Sequence, residues 1–284
     1  MQELQIINNK NPWPKGWGQK TSIMGVINLT PDSFSDGGDL NSSKKVLDQV
    51  ENFLCNGVDV IDLGAQSTRP GAEEDGSKKE LKRLIPYLKL IKSEYPDVLI
   101  SIDTFNSEVA YEALLNGANW INDVTGGRRD KEILDVVSAF NCPFVITHSR
   151  GNSKNMNELA KYDNLLCEVR RSLETLIKNA LDKNISRNNI IVDPGIGFSK
   201  DLNQNLEILK NLDVFQDLNL PVLIGASRKR FIGEILNEKN PKERDIGTLA
   251  ISCLCSHFKI DIVRVHNVKM NYQILKVADN IYRK

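Results

Sequence analysis

The stretch MGVINLTPDSFSDGG, Met24 to Gly38, opens as an apolar run and turns polar abruptly at Asn28. The run has the length and composition of a buried strand. Pro31 and the Gly37-Gly38 pair then punctuate a loop too long for a simple reversal. Binding groups of α/β proteins gather on such loops at the ends of buried strands. Counting outward from a first run at 22–28, short apolar runs recur at residues 58–63, 99–103, 120–123, 143–147, 190–193, 221–225 and 262–266. Amphipathic stretches separate them at 43–56, 78–95, 107–116, 165–183 and 246–258, and 269–283 closes the last unit. Each run is short and apolar on both faces, as expected where helices cover a parallel sheet. Eight strand–helix units in 284 residues predict an α/β fold, a single (β/α)8 TIM barrel over residues 21–284. About 250 residues is typical of that fold. An open doubly wound sheet would want Gly-x-Gly-x-x-Gly after its first strand. Asn28-Leu-Thr-Pro is nothing like it, and Gly195-Ile-Gly197 is a lone Gly-x-Gly. Residues 1–20 form a short N-terminal extension expected to cover the barrel floor.

Lys plus Arg equals Asp plus Glu at 37 each, so no net field recruits nucleic acid or an anionic membrane. The five cysteines are odd in number and form no Cys-x-x-Cys pair, and Cys253 and Cys255 read as reduced core thiols. No segment approaches the roughly 18 apolar residues of a membrane helix. The polar N-terminal region, with Pro12 and Pro14, is unsuited to export. A soluble, cytoplasmic protein is expected.

Chemistry in such a barrel sits at the C-terminal ends of the strands. In order those ends carry Asn28, the loop Gln66-Ser-Thr-Arg-Pro70, Asp103, Asn122, His148, Asp193, Ser227-Arg-Lys229, and Arg264 with His266. Asp103 and Asp193 can accept hydrogen bonds from a ring edge presenting an amine and a ring N–H, as in the guanidine-like edge of a pterin. Asn122 and Lys229 could meet the remaining donors and the carbonyl. Arg264, His266 and Asn28 supply the cations and the oxygen ligand that a diphosphate with magnesium requires. Each residue also has a structural reading. Asp103 could cap the next helix, Asp193 could shape a turn, and Arg264 could pair with a carboxylate. Lys229 lies in a basic triplet, His148 stays open, and His257 falls on an apolar helix face.

The chain resembles the dihydropteroate synthase family at separate points in the expected order. These are Asn28 to Gly38, DLGAQSTRPG at 62–71, SIDT at 101–104, INDV at 121–124, DPGIGF at 193–198, GASRK at 225–229 and RVH at 264–266. The resemblance implies the family's barrel, its reaction and a homodimer. It implies that Asp103, Asn122, Asp193 and Lys229 hold the pterin, and that Asn28, Thr68, Arg264 and His266 meet the diphosphate, with Asn28 on Mg2+. Phe34, Thr68, Arg69, Pro70 and Phe198 would contact 4-aminobenzoate, with Asp103, Lys229 and Arg69 acting in catalysis. Four positions depart from the pattern: Ser149 where many members have Met, Asn267 where Asp is frequent, Gln66 for Glu and Arg230 for a small Ser.

The reaction expected is transfer of a dihydropterin-6-ylmethyl group from its diphosphate to the amine of 4-aminobenzoate. No serine or cysteine nucleophile with a partner base is apparent, which argues against a covalent enzyme intermediate. A methyltransferase of the same barrel family would share the Asp and Asn contacts. It has no use for the Thr30–Phe34 loop or the Arg264/His266 pair. A non-catalytic pterin-binding paralogue is the other alternative, and product formation separates it from an enzyme.

Overall fold

A computed structural model describes residues 11–29, 39–66 and 76–283. Phe34, Thr68, Arg69 and Pro70 lie outside the described residues.

Eight parallel strands alternate with helices: β1 (Ser22–Asn28), α1 (Asp39–Cys55), β2 (Val60–Gly64), α2 (Ser77–Glu94), β3 (Ile100–Asp103), α3 (Ser107–Leu115), β4 (Trp120–Asp123), α4 (Glu132–Phe140) and β5 (Phe144–Thr147). The second half continues with α5 (Leu165–Asp182), β6 (Ile190–Asp193), α6 (Leu202–Lys210), α7 (Asp213–Gln216), β7 (Leu223–Ile224), α8 (Arg230–Leu236), α9 (Asp245–His257), β8 (Ile262–Val265) and α10 (Val268–Tyr282). The order β6-β5-β4-β3-β2-β1-β8-β7 is closed by a parallel bridge between Val192 and Val222, making the (β/α)8 barrel. All eight apolar runs are strands. The seventh is shorter than its 221–225 pattern suggests, because Pro221 has no N–H and the Val222 N–H goes to the Asp261 carboxylate at 2.8 Å. Helices α4, α6, α7 and α8, of 9, 9, 4 and 7 residues, were not marked by periodicity.

The strands are apolar on both faces only in part. Their outward residues, among them Ile23, Ile61, Ile100, Ile121, Ile146 and Val263, form one core with the helices. Inward residues near the strand beginnings, Met24, Val60, Trp120, Val145, Ile191, Leu223 and Ile262, make a separate apolar layer. Trp13 and Trp17 pack on this layer, with ring centroids 5.2 and 5.9 Å from Trp120, whose indole N–H donates to the Pro12 carbonyl at 2.6 Å. Bulky side chains fill the lower barrel as they would any core. Higher up, the inward positions other than Val26 are polar or glycine, and there the barrel opens. Among the described residues no helix is long and apolar enough to cross a membrane.

Candidate functional site

Period-2 alternation brings Asn28, Asp62, Asp103, Asn122, Asp193 and Arg264 to the inside of the barrel above the apolar layer. Glycines keep the space between them open. A Cβ on Gly64 would stand 3.7 Å from both Asn28 Oδ1 and Asp103 Oδ2; one on Gly225 would stand 3.7 Å from Asp193 Oδ2 and 3.8 Å from Arg264 Cβ. The diphosphate and pterin candidates therefore border one hollow.

Its centre is an arginine between two carboxylates. Arg264 Nε donates to Asp62 Oδ2 at 2.6 Å and Nη2 donates to Asp103 Oδ2 at 2.7 Å, while Asn122 Nδ2 donates to Asp62 Oδ2 at 3.3 Å. Arg264 does pair with carboxylates, and both belong to the site. Burial raises the Asp103 carboxyl to about 7, with Arg264 opposing and Asp62 adding to the rise. Asp62 was not singled out from the sequence. Its signal was a charge on the inward parity of an otherwise apolar strand. Asp62 Oδ1 and its register neighbour Ser101 Oγ are buried with no hydrogen-bond partner among the described residues. Polar atoms so placed favour a ligand edge rich in N–H groups.

Asp193 faces the same hollow and also shapes its turn, since Oδ1 accepts the Gly195 N–H at 2.7 Å. Lys229 donates from Nζ to the Ile196 carbonyl and lies 4.3 Å from the centre of the Phe198 ring. Burial pulls its ammonium down to about 8, opposed by Asp193. Lys229 is half-buried at the barrel mouth, whereas the neighbouring Arg230 is exposed and pairs with Glu234 on the outside of α8. Asp123 is structural. Its carboxylate accepts N–H groups from Thr125 and Gly127 and the Thr125 hydroxyl, shaping the turn after β4.

His266, a diphosphate candidate, has Nδ1 3.0 Å from Ser227 Oγ, which also accepts the His266 backbone N–H at 3.2 Å. The Asn267 departure has a structural account. Asn267 caps α10 through Oδ1, and its Nδ2 donates to Asp245 Oδ2 at 2.9 Å. Asp245, from α9, takes a bidentate grip on Arg228, at 2.7 and 2.9 Å. Asp245→Asn is expected to cost about 2 kcal/mol by leaving this partly buried guanidinium without a counter-charge, read as a lower urea midpoint at unchanged m.

Ser149 donates to the Val124 carbonyl at 2.7 Å and accepts from Arg128 Nη2 at 2.8 Å, so its hydroxyl is turned into the β4 connection. Beside it lies a cavity of about 470 Å³, including its mouth, lined by Gln66, Phe105, Val124, Met156 and Phe198. Apolar surface for a flat ring is thus present without a methionine at 149. His148 is fully buried and its proton affinity is suppressed to a pKa of about 2 by burial and by Lys200; it is not an acid–base group near neutrality. His257 is on the outside of α9, edge-on to Tyr282 at 4.9 Å.

Among the described residues no group of three or more His, Cys, Asp or Glu side chains could hold a metal ion. Asn28 offers a neutral oxygen beside Asp103. That donor set fits a magnesium held mainly by diphosphate oxygens and water, with Asn28 as a protein ligand.

The profile of the pterin binding enzyme family matches residues 24–266. The chain is 43% identical to a dihydropteroate synthase of Synechocystis over 267 residues, 94% of this chain and 92% of that one. It also aligns with 36% of a longer folic acid synthesis protein of Pneumocystis carinii, at 44% identity. A dihydropteroate synthase structure from Clostridium difficile, determined in the presence of pteroic acid, superposes with a TM-score of 0.89 at 40% identity, covering 95% of this chain and 100% of that one. A Xanthomonas albilineans dihydropteroate synthase in complex with 7,8-dihydropteroate gives 0.83 at 31% identity, covering 93% and 94%. The fold and site define a pterin-binding barrel enzyme. The chain belongs to the dihydropteroate synthase family.

Proposed function

We infer that the chain condenses 6-hydroxymethyl-7,8-dihydropterin diphosphate with 4-aminobenzoate, giving 7,8-dihydropteroate and pyrophosphate in folate biosynthesis. The observation that carries this reading is the convergence of Asp103, Asn122, Asp193 and Lys229 on the hollow that holds Arg264. The carboxylates and the amide suit the amine and N–H edge of the pterin, and Lys229 suits its carbonyl. Arg264, His266 and Thr68 grip the diphosphate. Magnesium, bound through Asn28, withdraws charge from that leaving group when present. The methylene C–O bond breaks toward pyrophosphate and leaves a cation spread over the pterin. Asp103 stabilises that cation from a fixed position, where water would have to reorganise. The arylamine nitrogen forms the new C–N bond and releases its proton. Phe198 supplies an aromatic face for the acceptor, and Phe34, Thr68, Arg69 and Pro70 are the further acceptor-contacting residues in this reading. The test is incubation with both substrates and magnesium. Equal yields of dihydropteroate and pyrophosphate support the reading, and tight pterin binding with neither product overturns it.

The enzyme works in the cytoplasm as a homodimer. All five cysteines are unpaired, which fits a reducing compartment. Ile246 at the start of α9, and Met270, Val277 and Ile281 along one face of α10, form an exposed apolar stripe, with Ile246 and Ile281 each 63% exposed. A second copy of this chain is the partner that suits it. The double variant Val277→Glu/Ile281→Glu is expected to elute as a monomer, with its mass halved by light scattering. An unchanged mass would remove this face from the interface.

A further inference from the structure

Lys200 is only 4% exposed, and no carboxylate among the described residues is within ion-pair distance of it. Burial without a counter-ion is costly for an ammonium unless every hydrogen is used. Here Nζ has three polar partners. Nζ lies 2.9 Å from His148 Nδ1, and donates to the Gly195 and Phe198 carbonyls at 3.0 Å each. The first partner follows β5; the other two belong to the connection after β6. His148 is neutral at ordinary pH, so its Nδ1 and Lys200 Nζ share one hydrogen bond whose direction follows the ring's tautomer. The β6 connection is pressed onto the end of β5 at this point. Gly195 has φ +72°, and a Cβ there would fall 1.9 Å from the His148 carbonyl oxygen. Asn205 ties the same segment from α6, accepting the Gly197 N–H at 2.6 Å and donating to the Lys200 carbonyl at 3.3 Å.

The fastened segment, residues 193–198, carries three parts of the site. Asp193 faces the hollow, the Ile196 carbonyl receives Lys229 Nζ, and the Phe198 ring lies under that same ammonium. Asp103 and Arg264 come from β3 and β8 and touch neither Lys200 nor His148.

We propose that Lys200 is a positioning residue for both substrates: by holding the Gly195 and Phe198 carbonyls against His148, it aims Asp193 at the pterin and Phe198 at the acceptor. The inference rests on the transferase reading above. It separates binding from chemistry, because the cation stabiliser is carried by other strands. The test is Lys200→Met, which keeps the length and apolar stem but loses all three donors. Steady-state kinetics on the folded variant is expected to give KM values for both substrates raised about tenfold, the scale of one or two lost hydrogen bonds, with kcat within about threefold. Unchanged KM values, or a loss confined to kcat, would overturn the proposal. If Lys200→Met does not fold, His148 decides. His148→Gln offers an amide oxygen to the ammonium and is expected to keep both KM values near wild type, whereas His148→Leu raises them. Equal behaviour of the two His148 variants refutes the role. A wild-type protein that forms no dihydropteroate would count against the transferase reading instead.

Discussion

Asp103→Asn lowers kcat by about 10² to 10³-fold while leaving the affinity for the pterin diphosphate within a few-fold. That is the range seen when one preorganised electrostatic partner of a transition state is removed. The amide keeps an oxygen for the ring N–H, so ground-state binding survives. It lacks the negative charge that faces the developing pterin cation, so the loss appears in the transition state. Single-turnover rates together with calorimetric binding of the diphosphate separate the two. Parallel losses in both would remove the stabiliser role. The pH dependence has a definite sign. Burial holds the Asp103 carboxyl at about 7, and only the carboxylate form is useful, so the wild-type rate falls as pH drops through that region. The Asn variant shows no such limb.

Arg264→Met is the most damaging single change to stability predicted for this barrel. It leaves Asp62 and Asp103 buried together without the guanidinium that bridges them at 2.6 and 2.7 Å. Breaking a buried ion pair from one side typically costs about 3–5 kcal/mol. The loss depends on pH. Arg264 is the influence that lowers the Asp103 carboxyl's pKa, so removing it drives that pKa higher still. A group whose folded pKa lies above its unfolded value favours the folded state at low pH and opposes it as pH rises through the folded value. The variant is therefore closest to wild type near pH 5 and falls furthest behind near pH 8. Thermal melts across that interval check it; a gap that narrows on raising the pH contradicts the account. Under the proposed role of Arg264 as a diphosphate ligand, diphosphate binding is expected to be lost at every pH.

Much of the architecture was legible in the chain. Eight apolar runs with turn residues at their ends marked the strands. The polar residue closing each run pointed to Asp103, Asn122, Asp193, Lys229 and Arg264, and these do converge. The regular part is readable because strand alternation is a local property: once a strand is buried with one face inward, parity assigns every side chain on it. Short helices such as α8, seven residues long, gave no periodic signal.

Partnership was not legible, because it depends on closure of the barrel. Asp62 and Arg264 are 202 residues apart, and only the β1–β2 and β1–β8 pairings bring their strands near each other. Asn122 and Asp123, adjacent and both polar, did not by themselves tell the inward amide from the turn former. Nothing local to Lys200 predicts that three polar partners from two connections would surround it. The sequence by itself determined the repeat, the inward parity and the set of groups available to a ligand, since these follow from covalent order and strand geometry. Tertiary structure alone decided which carboxylates share Arg264, that Asp245 pairs with Arg228, and which lysine is buried. Those outcomes depend on distances across the barrel, because a buried charge is tolerated only where polar partners arrive within hydrogen-bond reach.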